Sequence, residues 1–103
     1  MPEVPDGTNF YGSLDTTLSR ERVAGLYATR GWSVRKCSWT DYEVTCDWCE
    51  LVIEAESPIL IHGTVADVTV RAAEVVAPLR EQGVKFHAEC YGPDGELVLE
   101  IDS

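Results

Sequence analysis

The chain has 103 residues, enough for one hydrophobic core and too few for two ordinary domains, so a single domain over residues 1 to 103 is expected. With 45% hydrophobic and 25% charged residues, the composition lies in the normal globular range and favours neither a disordered nor a fibrous chain. The formal charge is −10 and uneven: residues 1 to 38 carry five basic and four acidic side chains, residues 39 to 103 three and fourteen. Such a field repels phosphate backbones and attracts basic protein surfaces, which argues against nucleic acid as a partner.

No apolar run reaches the roughly eighteen residues of a membrane helix. Met1-Pro2-Glu3-Val4-Pro5-Asp6-Gly7 lacks the basic and apolar segments of a signal peptide, so a flexible tail over residues 1 to 8 and a cytoplasmic location are expected. Four cysteines in that setting are expected to be reduced.

Asn9 to Leu14 can form a short strand. Ser19 then offers an N-cap, with Leu18 and Val23 spaced as a hydrophobic staple, and Gly31 offers a left-handed stop, which predicts a helix from about 20 to 30. Trp32 and Val34 alternate with polar neighbours, and a phase slip at Arg35-Lys36 predicts a bulged strand running to about Trp39. Tyr42, Val44, Cys46 and Trp48 are apolar at even positions, Leu51 and Ile53 at odd ones. A break between strands therefore falls at residues 47 to 50.

Ile59-Leu60-Ile61 reads as the next strand. Asp67 can cap a second helix carrying Val68, Ala72, Val75, Val76 and Leu79 at helical spacing, with Pro78 as a kink and Gly83 as the stop. Val84 to Tyr91, the turn Gly92-Pro93-Asp94-Gly95, and Glu96 to Ile101 make a closing hairpin. The fold class is therefore α+β: an antiparallel sheet with two helices packed on one face.

Gly12, Val23, Leu26, Gly31, Cys37 and Glu50 find counterparts, in order, in Gly63, Val76, Leu79, Gly83, Cys90 and Glu96, which suggests a tandem βαββ duplication with units 9–56 and 57–103. The copies differ where twelve residues separate Cys37 from Glu50 against five between Cys90 and Glu96, so the first copy is expected to project a β-arm. The tandem order resembles the bacterial effector-binding domains of the gyrase-inhibitor type, which implies a small-molecule pocket between the copies. Read as αβββαββ, the order resembles the secretion-chaperone type of fold, which implies protein binding. Both resemblances rest on element order and carry over no site residues.

Three constellations could carry chemistry. Cys46-Asp47-Trp48-Cys49 can grip a tetrahedral Zn²⁺, with Cys37 as the nearest third ligand, but no second pair or close histidine completes the signature. Cys37, Cys46 and Cys49 stand as the metal candidates, while structural thiols and no cofactor are expected. His62, and His87 with Glu89, suggest a dyad, yet no strained nucleophile elbow accompanies them, so no enzyme is expected. The arm gathers Trp39, Asp41, Tyr42, Glu43, Asp47 and Trp48, aromatics ringed by carboxylates, as an interface hot spot would be.

The expected function is a small, acidic, non-enzymatic module that masks a basic surface of a partner protein, in the manner of an immunity protein, antitoxin or inhibitor, as a monomer or homodimer. The alternatives are a small-molecule effector-binding domain lined by Tyr27 and Trp32, and a zinc-binding structural module.

Overall fold

A computed structural model describes residues 8–37, 39–54 and 58–103. In chain order the elements are β1 (Phe10–Asp15), α1 (Arg20–Ala28), β2 (Ser33–Lys36), β3 (Tyr42–Cys46), β4 (Cys49–Glu54), β5 (Ile59–Val65), α2 (Val68–Glu81), β6 (Lys85–Tyr91) and β7 (Leu97–Asp102). All strands join one antiparallel sheet in the order β2-β3-β4-β5-β1-β6-β7. The α+β class read from the sequence is the class observed. The expected flexible tail falls, for residues 1 to 7, outside the described residues.

Alternation decides which face is buried. Phe10 and Leu14 on β1, Leu51 and Ile53 on β4, Ile61 and Val65 on β5, and Phe86, Ala88 and Cys90 on β6 all point to the helix side. There α1 packs over β2, β3 and β4, while α2 packs over β5 and β6. Val23, Ala24 and Tyr27 of α1 and Ala72, Val75, Val76 and Leu79 of α2 complete one continuous core. Each fully buried Val, Leu, Ile or Phe side chain among them contributes roughly 1.5–3 kcal/mol on leaving water. Tyr27 adds a polar tie between the helices, donating its hydroxyl to the Val75 carbonyl at 2.8 Å.

The helix ends follow local chemistry. Ser19 caps α1 by accepting from the Arg22 amide at 3.2 Å, and Gly31 ends the segment at φ 86°. Gly83 does the same after α2 at φ 68°. Asp67 departs from expectation: it occupies the N-cap in the left-handed region at φ 51° and makes no side-chain cap bond. Asp tolerates that region through its short polar side chain. The helix also runs past Pro78 to Glu81.

Gly12 and Gly63 sit in matching registers at the centre of the sheet, with Phe10 opposite Gly63 and Gly12 opposite Ile61. From there each central strand leads into a helix and a left-handed glycine, and beyond those glycines the correspondence ends. After α2 the chain returns as β6 beside β1, whereas after α1 it crosses to the far edge as β2, and β4 is the strand beside β5. Cys37 is consequently exposed while Cys90 is buried.

The expected projecting arm is corrected accordingly. β2, β3 and β4 form a meander that widens the sheet, because each strand's backbone is satisfied by its neighbour. The expected bulge at Arg35-Lys36 is absent: β2 pairs with β3 in unbroken register from Ser33 opposite Thr45 to Lys36 opposite Tyr42, then ends. Among the described residues no helix is long and apolar enough to cross a membrane.

Candidate functional site

Both helices lie on one face, so among the described residues the other face of the seven strands has no covering layer. Its side chains follow from the register. One row crosses every strand: Arg35, Glu43, Val52, His62, Tyr11, Glu89 and Glu100. A neighbouring row runs Glu54, Leu60, Ser13, His87, Asp102. Between them lies a shallow, solvent-open depression of about 450 Å³, lined by Tyr11, Ser13, Leu60, His62, His87 and Glu89.

β7 joins this face through an irregularity. The register of the last hairpin shifts between Cys90 and Tyr91, so that Tyr91 opposes Leu97 but Cys90 opposes Leu99. A one-residue slip exchanges the two faces of a strand. It turns Leu99 and Ile101 toward the core and sets Glu100 opposite Glu89 and Asp102 opposite His87. The Gly92–Gly95 turn that closes this hairpin is held by the Gly95 amide donating to the Gly92 carbonyl at 3.0 Å.

Both histidines are backed by carboxylates. His62 Nε2 lies 2.8 Å from Glu54 Oε1. His87 Nδ1 lies 2.5 Å from Asp102 Oδ1, and its Nε2 is 3.7 Å from Glu89 Oε1. The Asp102 hydrogen bond, reinforced by the nearby carboxylates of Glu89 and Glu100, raises the His87 pKa above its ordinary value. Ser13 stands opposite His87 on β1, in a Ser-His-Asp row. Among the described residues no hydrogen bond joins Ser13 to either histidine, and the extended strands present no helix N-terminus or backbone nest as an oxyanion site.

The six residues expected to form one interface are divided. Trp39 is 90% exposed in the β2–β3 connection, beside Asp41, whose carbonyl accepts from the Cys37 amide at 3.1 Å. Asp47 and Trp48 form the β3–β4 turn at the opposite end of β3. Trp48 lies on Trp32 edge-to-face at 5.4 Å, with the Arg71 guanidinium 4.8 Å above its ring. Tyr42 packs partly buried against the core, and Glu43 belongs to the uncovered face. The aromatic cluster is therefore split by the length of β3, with its inner members used in packing.

The metal candidates are separated in the same way. Cys46 and Cys49 oppose each other across the β3–β4 turn, while Cys37 follows the end of β2 near the start of β3. Burial is the main cause that raises the Cys46, Cys49 and Cys90 thiol pKa values, that of Cys90 to about 11. A thiol held protonated is a poor ligand and nucleophile. Tyr27, expected to line a pocket with Trp32, is fully buried with its hydroxyl engaged, whereas Trp32 borders a separate depression with Arg30, Cys46 and Trp48.

Comparison with family models, with curated proteins and with solved structures finds no match. Function rests on the geometry of the chain itself.

The residues that sequence reasoning missed are Tyr11, Leu60, Glu54, Glu100 and Asp102. Glu100 and Asp102 had a signal, since acidic residues alternate with Leu99 and Ile101 at the end of a strand.

Proposed function

We propose that this chain is a non-enzymatic binding module whose uncovered sheet face docks a basic surface of a partner protein, in the manner of an inhibitor. The observation that carries the reading is the composition of that face. Glu43, Glu50, Glu54, Glu89, Glu100 and Asp102 all project from it, and among the described residues its Arg and Lys side chains are Arg35, already paired with Glu43 at 3.0 Å, and Lys85, opposite Asp15.

Size supports the same reading. Seven strands spaced about 4.8 Å apart make a plane roughly 29 Å wide, on the order of 500 Å² at ordinary strand length. That is below the roughly 800 Å² that each partner gives to a standard interface and fits a smaller, transient contact. Tyr11 and Tyr91, edge-to-face at 5.7 Å, together with Leu60 and Val52, put apolar area among the charges. Exposed patches of this kind supply the desolvated centre of a contact while the carboxylates steer approach.

A small-molecule site is less well supported, since the depression on this face is shallow and open to solvent.

Calorimetric titration with a short lysine-rich peptide, with chelator present, tests the reading. Binding is expected at low salt and should weaken steeply as salt rises. The triple variant Glu43→Gln, Glu50→Gln, Glu54→Gln should lose most of it. Equal affinity in parent and variant would remove the uncovered face as the docking surface.

A further inference from the structure

The corner of the uncovered face formed by β6 and β7 holds a second arrangement, built from Glu89, Glu100 and Asp102 of that face together with His87. His87 and Glu89 alternate on β6, and Glu100 lies opposite Glu89 on β7. One donor atom from each of the three comes within 4.8 Å of the others. Nothing in the sequence spacing announced this group, because Glu100 reaches it through the slipped register of the hairpin.

Two neighbours hold these side chains from behind. Asp102 engages His87 Nδ1, which makes Nδ1 the donating nitrogen and directs Nε2 toward Glu89. The Tyr91 hydroxyl donates to Glu89 Oε2 at 3.1 Å, leaving Oε1 turned toward His87. At 3.7 Å, the distance from Nε2 to Oε1 is too long for a hydrogen bond and close to the spacing of two atoms bound to one ion. A carboxylate behind a ligating histidine and a hydroxyl behind a ligating carboxylate are the usual outer partners of a metal site.

We propose that His87 Nε2, Glu89 and Glu100 bind a divalent transition-metal ion, with water completing its coordination and Asp102 and Tyr91 orienting the ligands. One imidazole nitrogen and two carboxylate oxygens suit Zn²⁺, Co²⁺ or Mn²⁺, whereas Ca²⁺ and Mg²⁺ favour an all-oxygen shell and Cu(I) favours sulfur. Ligands about 2.1 Å from a tetrahedral ion lie about 3.4 Å apart. The group, spread over at most 4.8 Å, contracts to that distance by rotation of the exposed Glu100 side chain. Three protein ligands leave an open position for water or an external donor. The β3–β4 cysteines lie at the other end of the strand order and take no part.

Co²⁺ is the probe that separates this site from the thiols, because it reports ligand type in its absorption spectrum. Full-length protein stripped with chelator and then dialysed free of it should take up a single Co²⁺ with ligand-field bands and no thiolate charge-transfer band. His87→Ala and, separately, Glu100→Gln should abolish uptake while circular dichroism stays that of the parent. Asp102→Asn should weaken affinity by about 10–100-fold, as expected for an orienting partner. The double variant Cys46→Ser, Cys49→Ser should bind as the parent does. No uptake by the parent, uptake unchanged in His87→Ala, or a thiolate band lost in the cysteine variant would each overturn the proposal.

Discussion

A Cβ on Gly63 would sit 1.9 Å from the carbonyl oxygen of Glu50 and 2.8 Å from the Cα of Leu51. Gly63 is on the helix side of β5, opposite both Phe10 and Leu51, so its missing side chain sets how closely β4 can approach β5. The obstructing atoms are backbone and cannot rotate away. Gly63→Ala is expected to cost about 3 kcal/mol, at the upper end of overpacking penalties. Urea denaturation would measure it, and a variant as stable as the parent would contradict the close approach.

The tryptophans should separate by environment. Trp39 is 90% exposed, whereas Trp48 is clamped between Trp32 and Arg71. Trp39→Ala should change stability by less than about 0.5 kcal/mol, the range for surface sites. Trp48→Ala should cost about 3 kcal/mol through lost packing. Equal losses would mean that the β2–β3 connection packs as tightly as the β3–β4 turn.

Removing the Tyr27 hydroxyl tests the tie between the helices. Burial pushes this phenol's pKa far up, so it stays a neutral donor to the Val75 carbonyl. Tyr27→Phe should lose about 1 kcal/mol, the usual worth of one hydrogen bond, with the fold unchanged by circular dichroism. A neutral effect would show that the Val75 carbonyl is satisfied without it.

The thiols give a pH prediction of definite sign. Burial raises Cys90 from an ordinary 9.0 to about 11 and raises Cys46 and Cys49 in the same direction. A group whose pKa is higher in the folded state stabilises fully below its unfolded pKa, and that contribution fades as pH rises through the folded value. Stability should therefore fall between about pH 9 and pH 11. At neutral pH an alkylating reagent followed by mass spectrometry should modify exposed Cys37 well before the other three. Modification of Cys90 at the Cys37 rate would contradict the burial.

Local features were legible because local chemistry sets them. Ser19, Gly31, Gly83 and the Gly92–Gly95 turn marked element ends correctly, and alternation in β4, β5 and β6 named the buried face. The sheet order was not legible, because nothing near Ser33 records that its strand crosses to the far edge before pairing with β3. The same limit hid the functional face. Glu54 reaches His62, and Asp102 reaches His87, through pairings between separate strands, the latter through a register slip that no local residue type announces. Tyr42 and Trp48, which share the alternation of Val44 and pack partly buried against the core, show a related limit. Aromatics among carboxylates look alike in sequence whether they face solvent or close the margin of a core.

Docking of a basic surface on the uncovered sheet face is tested most directly by an amide NMR titration with a short lysine-rich peptide, run in chelator. Shift changes should concentrate on β1, β4, β5 and β6 around Tyr11, Val52, His62 and Glu89, spare α1 and α2, and reverse when salt is added. Changes centred on the helices, changes indifferent to salt, or none at all at low salt would contradict that function.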